Sequence, residues 1–565
     1  MSPHPRRTPG TIALLFVSAC ATGPSQPGGG SATAPDLPGF GTVAVPISTA
    51  VPAAQRGFEQ GVLQAYAFNE HEAVRMFKAA LARDPQCAMC AWGVAWQLGP
   101  TINNIGRGQV PEALTYLDVA LRHGATATPR ERALIDALAL RYAHASQAPA
   151  TAPLLAGRCG GAGDGERADP LDVAYADRLR EMVLAQPDDP ELLSLWAEAE
   201  MVATRDDWWP AGGAPAGRIG ELATALEGGL VRHPEHVGLN HYLIHATDAN
   251  GQARRAVAAA DRLGALAPAA PHLLHMPSHT YIRVGRYADA ARVNEVAVAA
   301  DVTLAARQSA QGFAVSKDWR DHDQHFLWFA ALMEGRGDTA VAAARGVAER
   351  SAGADDVYAE YRRSLPVLAL LRLQRWDAVL AEPEPGGRHG LGQVLGAHAR
   401  GVALARTGRL REARAALLQA DAAAVIVVQA NPSNDGWART LRDMASAATD
   451  RLRAQIASAE GRHDVALAAQ ADAIIAARRA DDSEPPMLGA GDRLVLGDLQ
   501  LRAGRATLAE QTFRADLAVQ PGSGWALDGL VRALAAQGRT AEAEALRPQL
   551  AQAWASADAG LRGPR

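Results

Sequence analysis

The sequence has little of several features that mark common classes of protein. Its four cysteines in 565 residues are too few for a disulfide-dense scaffold, and aromatic residues make up only 5% of the chain. The formal net charge of −5 provides no basic surface, so we expect no nucleic-acid partner. The chain also lacks a Gly-rich phosphate loop, a nucleophile elbow, a dinucleotide fingerprint and the HExxH pattern, which leaves the common soluble enzyme classes without support.

The residues that are abundant are alanine and, locally, histidine. Alanine dominates the apolar residues, and β-branched residues are sparse, which favours helices over strands. Nine of the 16 histidines fall between His233 and His325, where an even spread would place about three. The sequence therefore indicates a helical scaffold with a local histidine excess.

The first 20 residues have the organisation of a secretory signal peptide. Arg6 and Arg7 precede the apolar run 11–19, which is too short to cross a bilayer because a helix needs about 20 residues for that. No other hydrophobic run in the chain is expected to cross a membrane. The end of the apolar run, Val-Ser-Ala-Cys, resembles the lipobox of bacterial lipoproteins. That resemblance implies cleavage before Cys20 and attachment of lipid to its thiol; the alternative is a plain secretory signal with a chance cysteine.

Residues 21–50 follow the signal peptide and are predicted to form a flexible tether, because the segment begins with many Pro, Gly and Ser residues. Ala21, rather than an aspartate, follows the cysteine. By the sorting habit of bacterial lipoproteins, this implies the outer membrane. The expected location is the cell envelope, with a lipid anchor in the membrane and the protein facing the periplasm.

A repeated pattern occupies most of the remaining chain. In its first copy, small, aromatic and proline residues recur at fixed spacings at Gly61, Ala73, Phe77, Ala80 and Pro85. This pattern resembles the tetratricopeptide repeat, a 34-residue helix–turn–helix unit. Seven further pairs, each a turn glycine and an alanine five residues later, continue the series: Gly251/Ala256, Gly285/Ala290, Gly335/Ala340, Gly408/Ala413, Gly461/Ala466, Gly504/Ala509 and Gly538/Ala543.

The resemblance implies an all-α fold, a right-handed superhelical solenoid in which stacking buries the apolar face that a single hairpin leaves exposed. We predict N-terminal and central repeats over 51–345, which contain a histidine-rich groove, and C-terminal repeats over 346–565. The glycine-rich stretch 156–169 is predicted to be a surface loop. Repeats of this kind generally bind a protein or peptide in their concave groove, and that is the expected partner, although a fold does not by itself define a function.

Seven of the clustered histidines fall in one phase of three repeats. Counted with Gly251, Gly285 and Gly335 as position 15, they occupy positions 2, 5 and 9, which line the concave surface of tetratricopeptide repeats generally. These residues are His241, His245, His272, His275, His279, His322 and His325. Residues three or four apart share one helix face. Asp248 and Arg283 fall at positions 12 and 13 of their repeats, on the same predicted surface.

These histidines are candidate metal ligands, because neutral imidazoles on one helix face can share an ion and copper, iron and zinc all accept histidine. The alternative is that they are packed or hydrogen-bonded core residues. Proline inside a helix removes a hydrogen bond and costs about 3 kcal/mol. A helix start near Pro277 is therefore an alternative that would leave His272 and His275 on a preceding loop.

Cys87 and Cys90 form a CxxC pair near the start of a predicted helix. Three interpretations stay open: thiolate metal ligands, including ligation shared with the distant histidines; a disulfide; or two small apolar core residues. An oxidising envelope favours the disulfide. Haem attachment would need a histidine after the second cysteine, where Ala91 stands. Cys159, in the glycine-rich stretch, is expected to be unpaired and exposed.

Several longer runs resemble a distinct set of bacterial tetratricopeptide-repeat proteins. They are CAMCAWG from Cys87, RERALIDALALRY from Arg130, NHYLIHATDA from Asn240, HLLHMPSHTYIRVGRYADA from His272 and HFLWFAALMEGR from His325. No activity is firmly assigned to this set of proteins. The resemblance therefore supports the presence of a functional site but does not identify a reaction. Glu198 and Asp207, which also match the set, are interpreted either as carboxylates beside the site or as ordinary surface and capping residues.

Two functions from different classes follow from these patterns. The first is an envelope-tethered tetratricopeptide-repeat scaffold that binds a protein or peptide partner and carries a histidine-rich metal site. The second is a metal-dependent enzyme that uses the clustered histidines. For that enzyme, redox chemistry is favoured over hydrolysis, because no carboxylate is clearly paired with the histidines as a general base. A metal chaperone or buffer is a third interpretation.

Overall fold

The structure is a computed structural model whose described residues belong to one compact unit, residues 34–565. The described ranges are 34–103, 109–142, 169–204, 208–210, 214–249, 251–315, 319–433, 435–480, 485–489 and 491–559. The predicted signal peptide, Cys20, Cys159 and Asp207 lie outside these ranges, as do residues 21–33 of the predicted tether and residues 156–168 of the predicted loop.

Helices make up the regular structure of the described ranges, which contain no β-strand. The α-helices there are α1 (Pro52–Tyr66), α2 (Glu70–Arg83), α3 (Ala88–Gln97), α4 (Val110–His123), α5 (Pro129–Arg141), α6 (Pro170–Ala185), α7 (Pro190–Ala203), α8 (Ile219–Arg232), α9 (Val237–Ala246), α10 (Val257–Leu266), α11 (Pro271–His275), α12 (Pro277–Val284), α13 (Tyr287–Ala310), α14 (Arg320–Glu334), α15 (Gly337–Arg350), α16 (Val357–Arg372), α17 (Trp376–Ala381), α18 (Leu391–Arg406), α19 (Leu410–Ala430), α20 (Gly436–Ala459), α21 (His463–Ala480), α22 (Asp492–Arg502), α23 (Ala506–Val519), α24 (Gly524–Ala536) and α25 (Thr540–Ala553). Within the same ranges, 3₁₀-helices occupy Gly124–Thr126 and Ala253–Ala256.

Helices that follow each other in the chain pack as hairpins, and the hairpins stack. The helix α1 packs on α2, α18 on α19, and α20 on α21, while α18 also contacts α20 of the next hairpin. Each hairpin thereby buries the apolar face that it would expose on its own. The protein is an all-α superhelix of tetratricopeptide repeats, and the predicted fold class is confirmed.

The turn glycines have the backbone conformation that the repeat pattern predicts. All seven, from Gly251 to Gly538, have φ between +72° and +86°, the left-handed region that favours glycine. The seven paired alanines, from Ala256 to Ala543, are buried. A residue without a side chain ends one helix, and a small residue then lets the next helix approach closely.

The aromatic residue of a repeat fills the space that two glycines leave open. A Cβ atom added to Gly61 would lie 2.4 Å from the ring of Phe77, and one added to Gly93 would lie 2.6 Å from the same ring. The contact of Gly93 with Phe77 places α3 as the first helix of the next repeat.

We expect Gly93→Ala to lower the free energy of unfolding by about 1–3 kcal/mol, because the added methyl group overpacks the Phe77 ring. Gly228→Ala in α8 is the matched control, since the nearest atom to its added Cβ is Arg232 Nη1 at 3.9 Å. There alanine is the better helix former and is expected to add about 0.5–1 kcal/mol. Denaturant unfolding followed by circular dichroism measures both variants, and similar effects in the two would contradict the packing argument.

Residues 34–50 pack on the helical body, so the prediction of a flexible tether through 21–50 is wrong for this part. Leu37 and Phe40 are buried. The backbone N–H of Ala269 donates a hydrogen bond to the carbonyl oxygen of Gly39 at 2.9 Å. Composition predicted a tether here because it averages over the segment, whereas two large apolar side chains are enough to hold it to a core.

The last repeats contact the central ones. Trp525 Nε1 donates a hydrogen bond to the carbonyl oxygen of Leu332 at 2.7 Å. The backbone N–H of Asp558 donates to the carbonyl oxygen of Gly335 at 3.0 Å. The two predicted sets of repeats therefore belong to the same compact unit.

One described helix, α19, is long and apolar enough to cross a membrane when judged by length and composition alone. This differs from the expectation that no further run would meet that criterion. Ala413, Ala420 and Val427 are buried along one of its faces, and the helix packs between α18 and α20. This packing is that of a repeat helix, and the alanine and valine content explains why α19 meets the criterion.

Candidate metal centre

Six of the seven predicted histidines form two groups of three. The first triad is His241, His245 and His272, and the second triad is His275, His279 and His322. Within each triad, one ring nitrogen from each residue lies within 4.8 Å of the other two. Each triad could therefore hold a metal ion.

Four helices bring the triads together. The helix α9 carries His241 and His245, α11 carries His272 and His275, α12 carries His279, and α14 carries His322. Pro277 is the first residue of α12, where its missing N–H costs nothing. The alternative helix start is thus confirmed, but the two preceding histidines lie on the five-residue helix α11 and not on a loop.

In the second triad, the three Nε2 atoms converge. His275 Nε2 lies 3.0 Å from His279 Nε2 and 3.0 Å from His322 Nε2. On the opposite side of the rings, His275 Nδ1 lies 2.6 Å from Asn294 Oδ1, and His279 Nδ1 lies 2.7 Å from Asp248 Oδ2.

The contacts at Nδ1 fix the tautomers of His275 and His279. Asn294 Nδ2 donates to a backbone carbonyl of its own helix, so Asn294 Oδ1 faces His275 and accepts from its Nδ1–H. Asp248 also accepts from Arg283 Nε at 2.9 Å, which keeps the carboxylate ionised and makes it the acceptor for His279 Nδ1–H. A neutral imidazole with its proton on Nδ1 has a lone pair on Nε2. The lone pairs of both rings therefore point into the same space, as they do when histidines ligate a metal.

The first triad is more open. His241 Nε2 lies 3.1 Å from His272 Nε2. His245 Nε2 is buried and makes no hydrogen bond within the described part of the chain. Leaving a buried polar atom unpaired costs about 1–3 kcal/mol, which ligation of a metal would offset. The two triads are adjacent, because the ring centroids of His245 and His279 are 6.3 Å apart.

All six histidines are buried, with at most 7% of any residue exposed. Phe68 stacks on His272 with ring centroids 4.9 Å apart, and Trp319 stacks on the same imidazole at 4.5 Å. Phe326 covers His275, with ring centroids 4.6 Å apart. The six histidines are therefore not exposed on a concave surface as predicted, because the side chains of Phe68, Trp319 and Phe326 cover them.

Burial also determines the charge of these rings. Desolvation, followed by repulsion from neighbouring imidazoles, lowers the pKa of His245 and His322 well below the usual value for histidine. Desolvation lowers the pKa of His241 to about 3. His241, His245 and His322 are thus neutral near pH 7, and neutral imidazole is the form that binds metal ions.

His325 belongs to neither triad, which corrects the prediction that it is a ligand. Its Nε2 lies 2.7 Å from the hydroxyl oxygen of Tyr361, and its ring stacks on Trp328 with centroids 5.3 Å apart. His325 contacts α16 instead, through the hydroxyl group of Tyr361. His325 is therefore a hydrogen-bonded core histidine.

Cys87 and Cys90 are joined in a disulfide at the start of α3. Both residues are buried and pack against Ala54 and Ala80. Because a disulfide offers no thiolate, the interpretation of these cysteines as metal ligands is wrong, and the bridge is the interpretation that the structure supports.

Of the described residues predicted to lie beside the site, Asp248 contacts a triad, Arg283 contacts Asp248, and Glu198 contacts neither. Asp248 and Arg283 form the ion pair that holds His279. Glu198 instead accepts a hydrogen bond from Trp96 Nε1 at 3.0 Å. Burial raises the pKa of Glu198 to about 7, which makes it a core carboxyl group on α7.

Two residues that hold the second triad were missed from the sequence. Asp323 is fully buried, and its Oδ1 lies 3.3 Å from His275 Nδ1. Asn294 lies on α13 between Ala290 and Ala297, on the buried face of that helix. A polar side chain at helical spacing within an alanine stripe was the signal that could have identified Asn294.

Comparisons with known proteins assign neither a family nor a function to this chain. No model of a known protein family matches the sequence, and no curated protein matches it. Several solved structures are similar, and three of them have the following identity, TM-score and coverage. The tetratricopeptide domain of P58(IPK) is 10% identical, with a TM-score of 0.21, and the match covers 86% of this chain and 99% of that chain. The human IFIT1 dimer with PPP-AAAA is 13% identical, with a TM-score of 0.31, and the match covers 88% of this chain and 89% of that chain. The APC/C hetero-tetramer Cut9–Hcn1 is 10% identical, with a TM-score of 0.26, and the match covers 90% of this chain and 89% of that chain. Likenesses with such low TM-scores carry no inference about what this chain binds.

Proposed function

We propose that this protein is a transition-metal protein, in which the two histidine triads each hold one ion inside a tetratricopeptide-repeat scaffold. The observation that carries the proposal is the convergence of the Nε2 lone pairs of His275 and His279. Without a cation between them, two lone pairs 3.0 Å apart repel each other. Their hydrogen-bond partners at Nδ1 hold both rings in the tautomer that a metal requires.

The dimensions and chemistry of the second triad support this assignment. Zinc–nitrogen bonds of about 2.0 Å in a tetrahedral site place neighbouring nitrogens about 3.3 Å apart. The 3.0 Å separations from His275 Nε2 to its two neighbours are close to that value. A set of neutral imidazoles suits zinc, copper and iron, so these are the ions that we propose.

We further propose that the protein is exported and anchored by lipid at Cys20, in the outer membrane and facing the periplasm. The N-terminal signal and the lipobox-like residues support this location. The disulfide between Cys87 and Cys90 supports an oxidising compartment. Incorporation of labelled fatty acid into the full-length chain, and its loss in Cys20→Ser, would test the anchor.

Binding of a protein or peptide partner stays a prediction, since the histidines expected in the groove are buried. The enzyme hypothesis also stays a prediction. Coverage of both triads by Phe68, Trp319 and Phe326 leaves metal binding as the property with direct geometric support.

We expect the full-length protein, equilibrated with zinc or copper and then desalted, to retain two equivalents of metal, one for each triad. His275→Gln is expected to remove the ion of the second triad and His241→Gln that of the first, because each loses one of three ligands. His325→Gln is the matched control, since it removes a buried histidine that lies outside both triads. Elemental mass spectrometry measures the metal, and circular dichroism checks that each variant is folded.

Cobalt provides a second measurement that does not depend on recovery after desalting. A histidine-ligated Co²⁺ ion is expected to give visible absorption bands that His275→Gln alters and His325→Gln leaves unchanged. Failure of the folded wild-type protein to retain any of these metals would overturn the proposal, as would an equal loss of metal in the His325→Gln control.

A further inference from the structure

A cavity of about 150 Å³ lies away from the histidine triads, among α14, α16, α18, α20, α22 and α24. Its apolar walls include the aromatic side chains Trp328, Trp376, Phe513 and Trp525. A void of this size holds a ligand about as large as a benzene ring. Nothing described above gives this cavity a role.

Cationic side chains outnumber anionic ones around this cavity. Five arginines line it: Arg372, Arg406, Arg451, Arg502 and Arg532. Only three carboxylates, those of Asp492, Asp498 and Asp528, line it as well. All three are already paired, because Arg451 binds Asp492 with two hydrogen bonds and Arg532 binds both Asp498 and Asp528.

Arg406 and Arg502 make no ion pair or hydrogen bond within the described ranges. Arg406 is half-buried, with its guanidinium 5.3 Å from the centre of the Trp376 ring. Burial, together with the charge of Arg502, lowers the pKa of Arg406 to about 10, although the nearby carboxylate of Asp498 acts in the opposite direction on both arginines. Two neighbouring guanidinium groups repel each other, and an anion placed between them would turn that repulsion into attraction.

Three residues that line the cavity each carry a buried polar atom that has no hydrogen-bond partner among the described residues. His398 Nδ1, Gln455 Oε1 and Trp328 Nε1 make no hydrogen bond within the described part of the chain. The three residues are only 3%, 8% and 1% exposed. Buried polar groups in native proteins are nearly always paired, so these three residues make the surroundings of the cavity more polar than its aromatic walls alone suggest.

We propose that this cavity binds a small organic acid, with its carboxylate between Arg406 and Arg502 and its apolar or aromatic body against the tryptophan rings. A planar guanidinium matches a carboxylate with two parallel hydrogen bonds. The aromatic walls favour a flat body. The cavity volume limits the body to about one ring.

The cavity and the metal centre share one helix but no residue. The helix α14 presents His322 to the second triad, whereas Trp328, six residues later, faces the cavity. The proposal therefore stands or falls independently of metal binding.

Isothermal titration of the full-length protein with benzoate and 4-hydroxybenzoate tests the proposal. Both acids are expected to bind, and benzyl alcohol, which has the ring without the charge, is expected to bind at least about tenfold more weakly. Arg406→Gln and Arg502→Gln are each expected to weaken the binding of both acids by about tenfold or more. Arg411→Gln is the matched control, because it removes an exposed arginine at the start of α19, just after the turn that follows Arg406. This variant is expected to leave the binding of both acids unchanged.

Inorganic phosphate distinguishes an organic acid from a simple anion. Phosphate binding as tight as that of benzoate would overturn the proposal, because the aromatic walls would then contribute nothing. Lack of binding of either acid at about 1 mM would also overturn it, as would equal weakening by the Arg411→Gln control. Circular dichroism of each variant excludes unfolding as the cause of a loss.

Discussion

Zinc bound to the histidine triads is expected to raise the free energy of unfolding by about 4 kcal/mol for each site that is held at a thousandfold excess of free ion over its Kd. The proposed ion would bind the folded chain, in which four helices bring the ligands together, and would have no such site in the unfolded chain. The measurement compares denaturant unfolding of the chelator-treated protein with that of the zinc-loaded protein, followed by circular dichroism. This change would be a large fraction of the stability of a typical domain.

The double variant His241→Gln/His275→Gln separates this effect from zinc binding at the surface. It removes one ligand from each triad and is expected to lose most of the zinc-dependent stabilisation. The matched control His325→Gln/His398→Gln also removes two buried histidines, but both lie outside the triads. Equal zinc-dependent stabilisation of the wild-type protein and the triad double variant would show that the triads do not hold the ion.

Arg141→Met is expected to lower the free energy of unfolding by about 3–5 kcal/mol, because it leaves a buried carboxylate without its cation. Arg141 Nε lies 2.9 Å from Asp172 Oδ1, and the two side chains are 1% and 0% exposed. This ion pair joins the end of α5 to the start of α6. Urea or guanidinium unfolding of the variant at pH 7 gives the change.

The double variant Arg141→Met/Asp172→Leu tests the physical cause of that loss. Replacing both members of a buried ion pair by apolar residues of similar size is often neutral or stabilising. The double variant is therefore expected to recover most of the stability that Arg141→Met loses. A double variant that is less stable than Arg141→Met would show that the guanidinium acts mainly by packing, for example through its contact 4.9 Å above the Tyr175 ring.

The repeat architecture could be predicted from the sequence because its signals are local. A glycine that must adopt positive φ and an alanine five residues later are both set by contacts within one hairpin. Gly285 and Ala290 therefore identify their turn without any knowledge of the rest of the chain. The packing of Leu37 and Phe40 could not be predicted in this way, because their neighbours lie in distant repeats.

The candidate site was predicted in part. Helical phase identified six histidines that the structure brings together, since spacings of three and four place residues on one face. The helical phase of the histidines could not show that aromatic side chains cover this face, because the covering residues Phe68 and Trp319 come from parts of the chain far apart in sequence. Phase also failed for His325, whose hydroxyl partner, Tyr361, lies on another helix.

The aromatic cover over the triads has a consequence for the speed of metal exchange. An ion held under Phe68, Trp319 and Phe326 would leave only after these side chains, or the segments that carry them, move aside, so its release would be governed by local opening of the fold. The rate of transfer to a chelator would then reach a plateau as chelator concentration rises. Delivery and buffering of metal both depend on rapid turnover of the bound ion, whereas a long residence time suits an ion that stays with the protein throughout its life.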